Sequence, residues 1–284
     1  MTHVRVWGLM AWMALGLASG AQAQQRPLVT EDPEPIGGGR VLLEGGMTYA
    51  NNQTYPASGL EGNLLQLPTL GVSIGISSIA ELQIDGGLVN RLGIEERDPT
   101  APLADLVTES GETTSDVQDI VVATKVRFLS EREGRPAMAM RLSTRLPNAG
   151  NESGLGLDTT DFNADLLIAK TVQSVRVVGN IGLGILGDPT SGHQQNDVLN
   201  YGLSLARAVT NEAEIVGEFG GRISTRSGEA NPGTETRGRL LVGARYTSGS
   251  FRLDGGIFTG LTSIDPTFGF TVGFTYVFNA FEMP

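Results

Sequence analysis

The sequence predicts an all-β protein, an antiparallel transmembrane β-barrel of about 12 strands with short periplasmic turns and longer extracellular loops. Three observations support this fold class. Apolar and polar residues alternate with a period of two along most of the chain, and long polar connections alternate with tight ones. In addition, the alternating runs are about twice as long as the roughly 5–6 residues of an ordinary globular strand. A soluble β-sandwich has no reason to alternate its connections in this way.

The last strand, at 268–278, shows the pattern most clearly. One set of alternate positions, from Phe268 to Phe278, is wholly apolar or aromatic, whereas the other set is mostly glycine and threonine. A strand with one oily face and one small, mostly polar face suits a sheet that meets lipid on one side. Its length also matches the ~9–11 residues that a tilted strand needs to cross a bilayer.

The same alternation runs through the chain from Arg40 onward. Tight turns, such as 173–174 and 248–249, alternate with long polar connections, such as 51–61 and 147–158. With an even number of strands, both termini should lie at the end of the barrel that carries the tight turns, which is the periplasmic end. The predicted strands begin at Arg40 and continue at 64–77, 80–95, 117–130, 137–146, 159–172, 175–187, 197–209, 212–225, 237–247, 250–261 and 268–278.

The residues before the first strand are predicted to lie outside the barrel. Arg5 precedes an apolar run, and the small-residue pattern of a signal-peptidase site ends at Ala23. The sequence therefore predicts a signal peptide at 1–23, a flexible periplasmic tail at 24–39 and the barrel at 40–284. A single membrane anchor is the alternative interpretation of the apolar run, which is short for that role. Export favours a bacterial outer membrane as the location.

Charged residues occupy the phase opposite to the apolar residues in nearly every predicted strand. An Arg or Lys that faces lipid near mid-membrane costs about 2–4 kcal/mol, so we expect these side chains, Arg91 among them, to face the lumen. Lys170 and Arg207 break the phase, but both lie beside tight turns, where a long side chain reaches the interface. The alternative is a soluble barrel with its apolar face inside. The predicted lumen-lining residues are Arg127, Arg141, Arg145, Asp165, Glu214, Glu218, Arg222, Arg239, Arg245, Arg252 and Asp254.

Residues that could carry catalysis or bind a cofactor are sparse. The absence of cysteine excludes thiol chemistry and cysteine-based metal sites. His193 is the one histidine left after signal cleavage, and Gln195 stands where a barrel phospholipase carries its catalytic serine. The glycine run 182–187 has dinucleotide-binding spacing but lies within a strand. The acidic stretch 96–116 is a solvated loop or a weak calcium site. We expect no catalytic residue, cofactor or metal, and the net charge of −11 argues against nucleic acid.

Several strands, between about Val117 and Phe278, resemble one known family. The residues that carry the resemblance are Asp119, Lys125-Val126-Arg127-Phe128, Ala139-Met140-Arg141-Leu142 with Leu146-Pro147, Asn200-Tyr201-Gly202-Leu203, Leu241-Val242-Gly243-Ala244-Arg245-Tyr246 and Gly273-Phe274-Thr275-Tyr276-Val277-Phe278. In their order these strands are similar to the MetA-pathway of phenol degradation family of bacterial outer-membrane β-barrel proteins. That resemblance implies an outer-membrane barrel that helps small molecules, aromatic ones among them, to cross, and it assigns no site residue.

The sequence thus predicts a passive channel or transporter for small solutes, with the lumenal charges setting the field that a solute meets. The alternative is a non-transporting structural or surface-exposed barrel whose lumen is plugged by ion pairs. The expected partners are outer-membrane lipid, a small-molecule solute and the barrel assembly machinery. That machinery reads a terminal aromatic residue, which is here Phe278 or Phe281.

Overall fold

The structure, a computed structural model, describes residues 26–191, 194–228 and 230–282. The predicted signal peptide at 1–23 lies outside the described residues, as does His193.

The described chain is built from β-strands and two short 3-10 helices, Ala104–Leu106 and Asn151–Ser153, which lie in the longer connections. No helix within the described ranges is long and apolar enough to cross a membrane. The strands are β1 (Arg40–Tyr55), β2 (Leu60–Gly75), β3 (Ala80–Gly87), β4 (Asn90–Arg97), β5 (Thr113–Asp116), β6 (Ile120–Leu129), β7 (Ala137–Leu146), β8 (Asp161–Val172), β9 (Val175–Gly187), β10 (Gln195–Ala208), β11 (Ala213–Ser224), β12 (Arg237–Ser248), β13 (Phe251–Gly260) and β14 (Phe268–Asn279).

Twelve of these strands close into an antiparallel barrel. β1 pairs with β2 on one side and with β14 on the other, so the ring is complete. Around the barrel the order is β1-β14-β13-β12-β11-β10-β9-β8-β7-β6-β3-β2, and β4 and β5 extend from β2. Closure leaves no unpaired edge within the ring, which is the condition for a sheet to stand in lipid. The predicted fold class is confirmed.

The two additional strands continue β3 and β6 across short interruptions. Thr69 of β2 pairs with Gly87 of β3, and Gln66 of β2 pairs with Asn90 of β4, so one register runs through the break. Pro68 lies at this level and has no backbone N–H to offer the ladder. β4 pairs in turn with β5, so these two strands prolong the barrel wall at this side.

At the interruption between β3 and β4, the set of alternate positions that points into the lumen changes from odd-numbered to even-numbered residues. Buried side chains fall on odd-numbered positions in β3, such as Gln83, and on even-numbered positions in β4, such as Leu92. Arg91 consequently lies on the outer face and is exposed. The prediction that Arg91 faces the lumen is therefore wrong, because the period of two that holds in β3 is interrupted between Gly87 and Asn90.

The two faces of the barrel wall otherwise divide as the charge pattern predicts. Phe268, Phe274 and Tyr276 expose 47%, 43% and 42% of their surface, whereas Arg245 and Glu218 expose 8% and 5%. Because each strand has only two faces, the buried charged positions point into the lumen and the aromatic ones point outward. This arrangement contradicts the alternative of a soluble barrel with its apolar face inside.

Tight turns collect at one end of the barrel and longer connections at the other. Residues 173–174 join β8 to β9, whereas 98–112 and 147–160 are needed to join β4 to β5 and β7 to β8. The connection between β1 and β2 is an exception at the long-loop end. It spans only 56–59, not the predicted 51–61. β1 continues to Tyr55 and β2 begins at Leu60, although apolar and polar residues no longer alternate regularly there.

Residues 26–36, called the N-terminal segment below, lie inside the barrel. Leu28, Glu31 and Ile36 are buried there. This placement differs from the loose periplasmic tail predicted for residues 24–39. The physical reason is charge complementarity, since the acidic residues of the segment meet cations on the inner wall.

Candidate functional site: the barrel lumen

The N-terminal segment begins at Arg26, whose guanidinium is held by three strands. It donates to Thr69 Oγ1 in β2 at 3.1 Å, and to Thr271 Oγ1 and Val272 O in β14 at 3.0 and 2.9 Å. Arg26 Nε lies 3.4 Å from Asp254 Oδ1 in β13. One side chain therefore ties the segment to the wall near the middle of the barrel.

Glycines leave the space that Arg26 occupies. A Cβ atom at Gly46 or at Gly273 would overlap the Arg26 guanidinium. The backbone is fixed as well, because Arg245 Nε donates to the carbonyl oxygen of Arg26 at 2.7 Å. The small residues in the lumenal phase of β1 and β14 thus form a socket for this arginine.

Further along, the backbone of the segment is bound by side chains of β9 and β11. The N–H groups of Val29 and Thr30 both donate to Glu218 Oε2, the first at 2.7 Å. Asn180 binds both sides of Glu31: its Oδ1 accepts from the Glu31 N–H at 2.6 Å, and its Nδ2 donates to the Glu31 carbonyl at 2.8 Å. These bonds are to side chains, so the segment is held here without joining the sheet.

Lys125 of β6 is fully buried under the segment. Its Nζ lies 3.0 Å from Glu31 Oε1 and 2.9 Å from Glu81 Oε1, and it donates to the carbonyl of Asp32 at 2.9 Å. A buried ammonium needs such partners, because an unpaired charge away from water costs several kcal/mol, on the order of 3–5.

The next two acidic residues of the segment also have cationic partners. Asp32 accepts two hydrogen bonds from Arg176 of β9, both of 2.8 Å. Glu34 pairs with Arg127 of β6. Arg176 also pairs with Glu131, in the turn between β6 and β7. Charge-assisted bonds of this kind are the stronger class of hydrogen bond, so they fix the segment along the tight-turn half of the lumen.

Beside the segment the lumen widens into a cavity of about 850 Å³, whose lining includes Leu28 and Val29. On the strands from β13 to β2, Ala50, Leu64 and Phe258 contribute apolar surface, and the polar side chains of Thr48, Gln53 and Gln66 lie beside them. Strands β7 to β10 lie across the ring and present a mostly polar surface. The polar side chains there are Arg141, Ser143, Asn163, Asp165, Asn180 and Asn200. The volume falls within the ~300–1,000 Å³ that is typical of small-molecule sites.

Several of the predicted lumen-lining residues line this cavity. Arg239 Nη2 lies 3.0 Å from Glu218 Oε1, and its guanidinium lies 5.2 Å from the centre of the Phe258 ring. Arg222 donates to the carbonyl of Gly233 at 2.6 Å, which connects the cavity to the loop after β11. The predicted residues that line the cavity are Arg141, Asp165, Glu218, Arg222 and Arg239.

The polar side of the cavity is organised by hydrogen bonds between side chains. Arg141 Nε donates to Gln83 Oε1 at 2.8 Å. Asn200 Nδ2 donates to Asp165 Oδ1 at 3.4 Å and to Asn163 Oδ1 at 2.9 Å. Charged and amide groups therefore share this surface, and both can bind a polar solute group.

The remaining predicted residues face the lumen but lie outside the cavity, in ion pairs. Arg145 Nε donates to Asp161 Oδ2 at 2.7 Å. Glu214 Oε2 lies 3.8 Å from Arg245 Nη1 and 3.9 Å from Arg252 Nη2. Arg145 with Asp161 and Glu214 with Arg245 join neighbouring strands of the wall, and Arg252 reaches Glu214 from β13 across β12. The residues in this group are Arg127, Arg145, Glu214, Arg245, Arg252 and Asp254.

Sequence reasoning missed the N-terminal segment and the three lumenal asparagines. Asn163, Asn180 and Asn200 occupy the lumenal phase of their strands, so a search of that phase for uncharged polar residues would have found them. The segment has no such signal, because its residues show no periodicity and its partners are distant in the sequence.

Solved outer-membrane barrels have a similar fold. A COG4313 outer membrane channel from Pseudomonas putida F1 matches with a TM-score of 0.59 at 12% identity, over 87% of this chain and 98% of that chain. The NanC porin matches with a TM-score of 0.51 at 8% identity, over 83% of this chain and 98% of that chain. Identities this low support the fold and nothing finer.

No protein-family model matches the sequence, and no curated protein is similar to it in sequence. The outer-membrane barrel fold implied by the resemblance to the phenol-degradation family is confirmed. Membership of that family stays a prediction.

Proposed function

We propose that the protein is an outer-membrane channel through which small solutes cross passively. The observation that carries the proposal is the lumenal cavity of about 850 Å³, enclosed by a closed barrel. Barrels of about 8 strands have filled interiors and those of about 16–18 strands have open bores, so at 12 strands the cavity, and not the strand number, carries the argument. A lumen that served only as a packed core would not hold a space of ligand size.

The two sides of the cavity suit a small molecule with an apolar body and a polar group. Phe258 and Leu64 offer apolar contact, whereas Asn163 and Asn200 offer hydrogen bonds across the lumen. The resemblance implies small molecules, aromatic ones among them, and an aromatic solute that also carries a polar substituent matches this division. Apolar walls with a few placed polar groups are the usual composition of a small-molecule site.

A non-transporting structural barrel is the second candidate function, and the N-terminal segment favours it. The segment crosses the lumen and is bound to Asp254, Glu218 and Lys125 on different strands. A segment that never moved would permanently occupy part of the tight-turn half of the bore. Current through the purified protein separates the two functions.

We place the channel in a bacterial outer membrane, with removal of residues 1–23 on export. The assembly machinery would read the end of the chain at Phe278 or at Phe281. Phe278 lies in β14, opposite Val41, and Phe281 follows the strand and is 47% exposed. Truncation after Phe278 tests this choice: insertion into the outer membrane persists if Phe278 is the signal and falls sharply if Phe281 is.

Recording of single channels in planar bilayers tests the proposed function. The purified protein should give discrete conductance steps. Arg141→Gln removes a positive charge from the cavity and should lower the ratio of anion to cation permeability. Arg207→Gln removes the same charge from the exposed outer face and should leave that ratio unchanged. A correctly folded protein that carries no current at any applied voltage would overturn the proposal.

A further inference from the structure

The acidic part of the N-terminal segment occupies a site lined by cations. Lys125 and Arg127 lie two residues apart on β6, so both point into the lumen, and Arg176 reaches the same region from β9. Glu31, Asp32 and Glu34 fill this site, one carboxylate to each cation. Without the segment, the three cations would face the bore. The site therefore has the chemistry of an anion site whose occupant belongs to the same chain.

The wall keeps counter-charges of its own if the segment leaves. Lys125 is also 2.9 Å from Glu81, and Arg176 is also paired with Glu131. These two cations would not become unpaired buried charges, which is the costly case for a broken ion pair. Arg127 has Glu34 as its carboxylate partner and also donates to the carbonyl of Ser78 at 3.1 Å. The site can therefore exist without its occupant.

The contacts that hold the segment are of a kind that water and ions can replace. Between Val29 and Ile36 its backbone N–H groups donate to side chains, among them Glu218, Asn180 and Glu81, and not to a β-ladder. Screening by salt weakens the pairs whose side chains are partly exposed, Asp32 with Arg176 and Glu34 with Arg127, and acts much less on the buried pair of Glu31 with Lys125. The segment also brings three acids and one arginine into the lumen, so its departure makes the bore more positive by two charges.

We propose that the N-terminal segment is a movable plug, a tethered occupant of the anion site formed by Lys125, Arg127 and Arg176. When the plug is seated the lumen is narrow, and when it leaves the channel is wider and prefers small anions. This inference rests on the proposed channel function. It explains why a barrel with a ligand-sized cavity carries a charged segment across its path.

A reversible disulfide can hold the plug in place, because the chain contains no cysteine of its own. A Cβ atom at Gly202 would lie 3.1 Å from Thr30 Oγ1 and 3.5 Å from Thr30 Cγ2, a spacing that suits a disulfide. The test uses the full chain with Thr30→Cys and Gly202→Cys, recorded in planar bilayers in potassium chloride before and after a reducing agent. Each single cysteine variant serves as the control for the reducing agent itself.

Reduction of the double cysteine variant should raise the conductance several-fold and shift the reversal potential toward that of chloride. The triple variant Glu31→Gln, Asp32→Asn, Glu34→Gln should behave like the reduced state without any disulfide. A variant that lacks residues 27–35 should give the largest and most anion-selective steps.

The failures of the plug and of the channel are distinguishable. If the oxidised and reduced forms, the triple variant and the deletion all conduct as the wild type does, the segment is a fixed part of the wall; the plug is overturned and the channel stands. If the deletion variant inserts as a folded barrel and carries no current, both the plug and the channel function are overturned.

Discussion

At Arg26, a single guanidinium binds two threonine hydroxyls, a backbone carbonyl and a carboxylate on three strands. The side chain of Asp254 has no exposed surface, so this carboxylate depends on neighbouring cations for compensation. Gly46 and Gly273 are small because a larger residue would fill the place of the guanidinium. The position of the whole segment thus depends on a few residues of the inner wall.

Gly273→Val should displace Arg26 and raise the conductance of the channel. The new side chain overlaps the guanidinium, and overpacking of this kind costs about 1–3 kcal/mol. The overlap is relieved by movement of the segment, because the segment is less firmly held than the paired strands of the barrel. Gly255→Val is the matched control, since a Cβ atom there meets nothing nearer than 3.6 Å on the outer face. Equal conductance for both variants and the wild type would show that Arg26 does not hold the segment.

Lys125→Met should lower the stability of the barrel by about 3–5 kcal/mol, because it leaves Glu31 and Glu81 without their shared ammonium. Urea unfolding in lipid vesicles, followed by circular dichroism, measures the change. Adding Glu81→Gln to Lys125→Met should recover part of the loss, since one uncompensated carboxylate is then removed. A single variant as stable as the wild type would contradict the assignment of Lys125 as a buried, paired cation.

The inward direction of the predicted lumen-lining residues follows from their place in the alternation, because successive side chains of a strand point to opposite faces. Their partners could not be predicted in the same way. Arg26 pairs with Asp254, and Glu34 pairs with Arg127. The partners are far apart in the sequence, so no local sequence pattern predicts these pairs. The sequence therefore predicted the face of each residue, but not which residues line a cavity and which are consumed by ion pairs.

The outer face of β12 tests the orientation of a whole element. Val242 is 54% exposed on the outer face, and Ser248 lies on the same face beside the turn to β13. Val242→Arg should destabilise folding in lipid by about 2–4 kcal/mol, and Ser248→Arg by only about 0–1 kcal/mol, because the cost depends on depth. The free energy of unfolding in phosphocholine vesicles measures both. Equal costs for the two variants would contradict a membrane-facing surface here.

The elements that were predicted well are those whose period is regular. β7 spans Ala137–Leu146, the predicted bounds, whereas the predicted strand 80–95 is two elements, β3 and β4, that present different faces. The alternation of Leu82 and Ile84 continues to Leu88, so residues 80–95 themselves give no sign that the faces exchange. A proline in the neighbouring strand, Pro68, was the available signal.

The N-terminal segment is the element that sequence patterns could not predict. Its prolines, Pro27, Pro33 and Pro35, and its polar residues are typical of a loose linker. What places it in the lumen is the match between its acids and cations of β6 and β9, a tertiary property. Local composition indicates the conformation of an isolated segment, whereas here contacts with the surrounding barrel determine where the segment lies.

At the scale of the whole molecule, the size of the barrel explains why a segment lies inside it. A ring of 12 strands encloses more volume than its own side chains fill. In an empty bore, Lys125, Arg127 and Arg176 would lose the carboxylates that the segment supplies. The segment fills part of that volume, neutralises those cations and leaves the cavity beside it. Lumen, plug and cavity therefore form one arrangement.

The account depends on a wall with an oily outer face and a solvated polar inner face, and cysteine accessibility tests it most directly. Ser143→Cys and Asn200→Cys face the cavity, and Leu142→Cys and Leu203→Cys face outward on the same strands. In purified protein reconstituted in lipid vesicles, a charged, water-soluble maleimide should label the first two and leave the second two unlabelled. Labelling of the Leu142 and Leu203 positions, with Ser143 and Asn200 protected, would contradict the membrane orientation and the channel together.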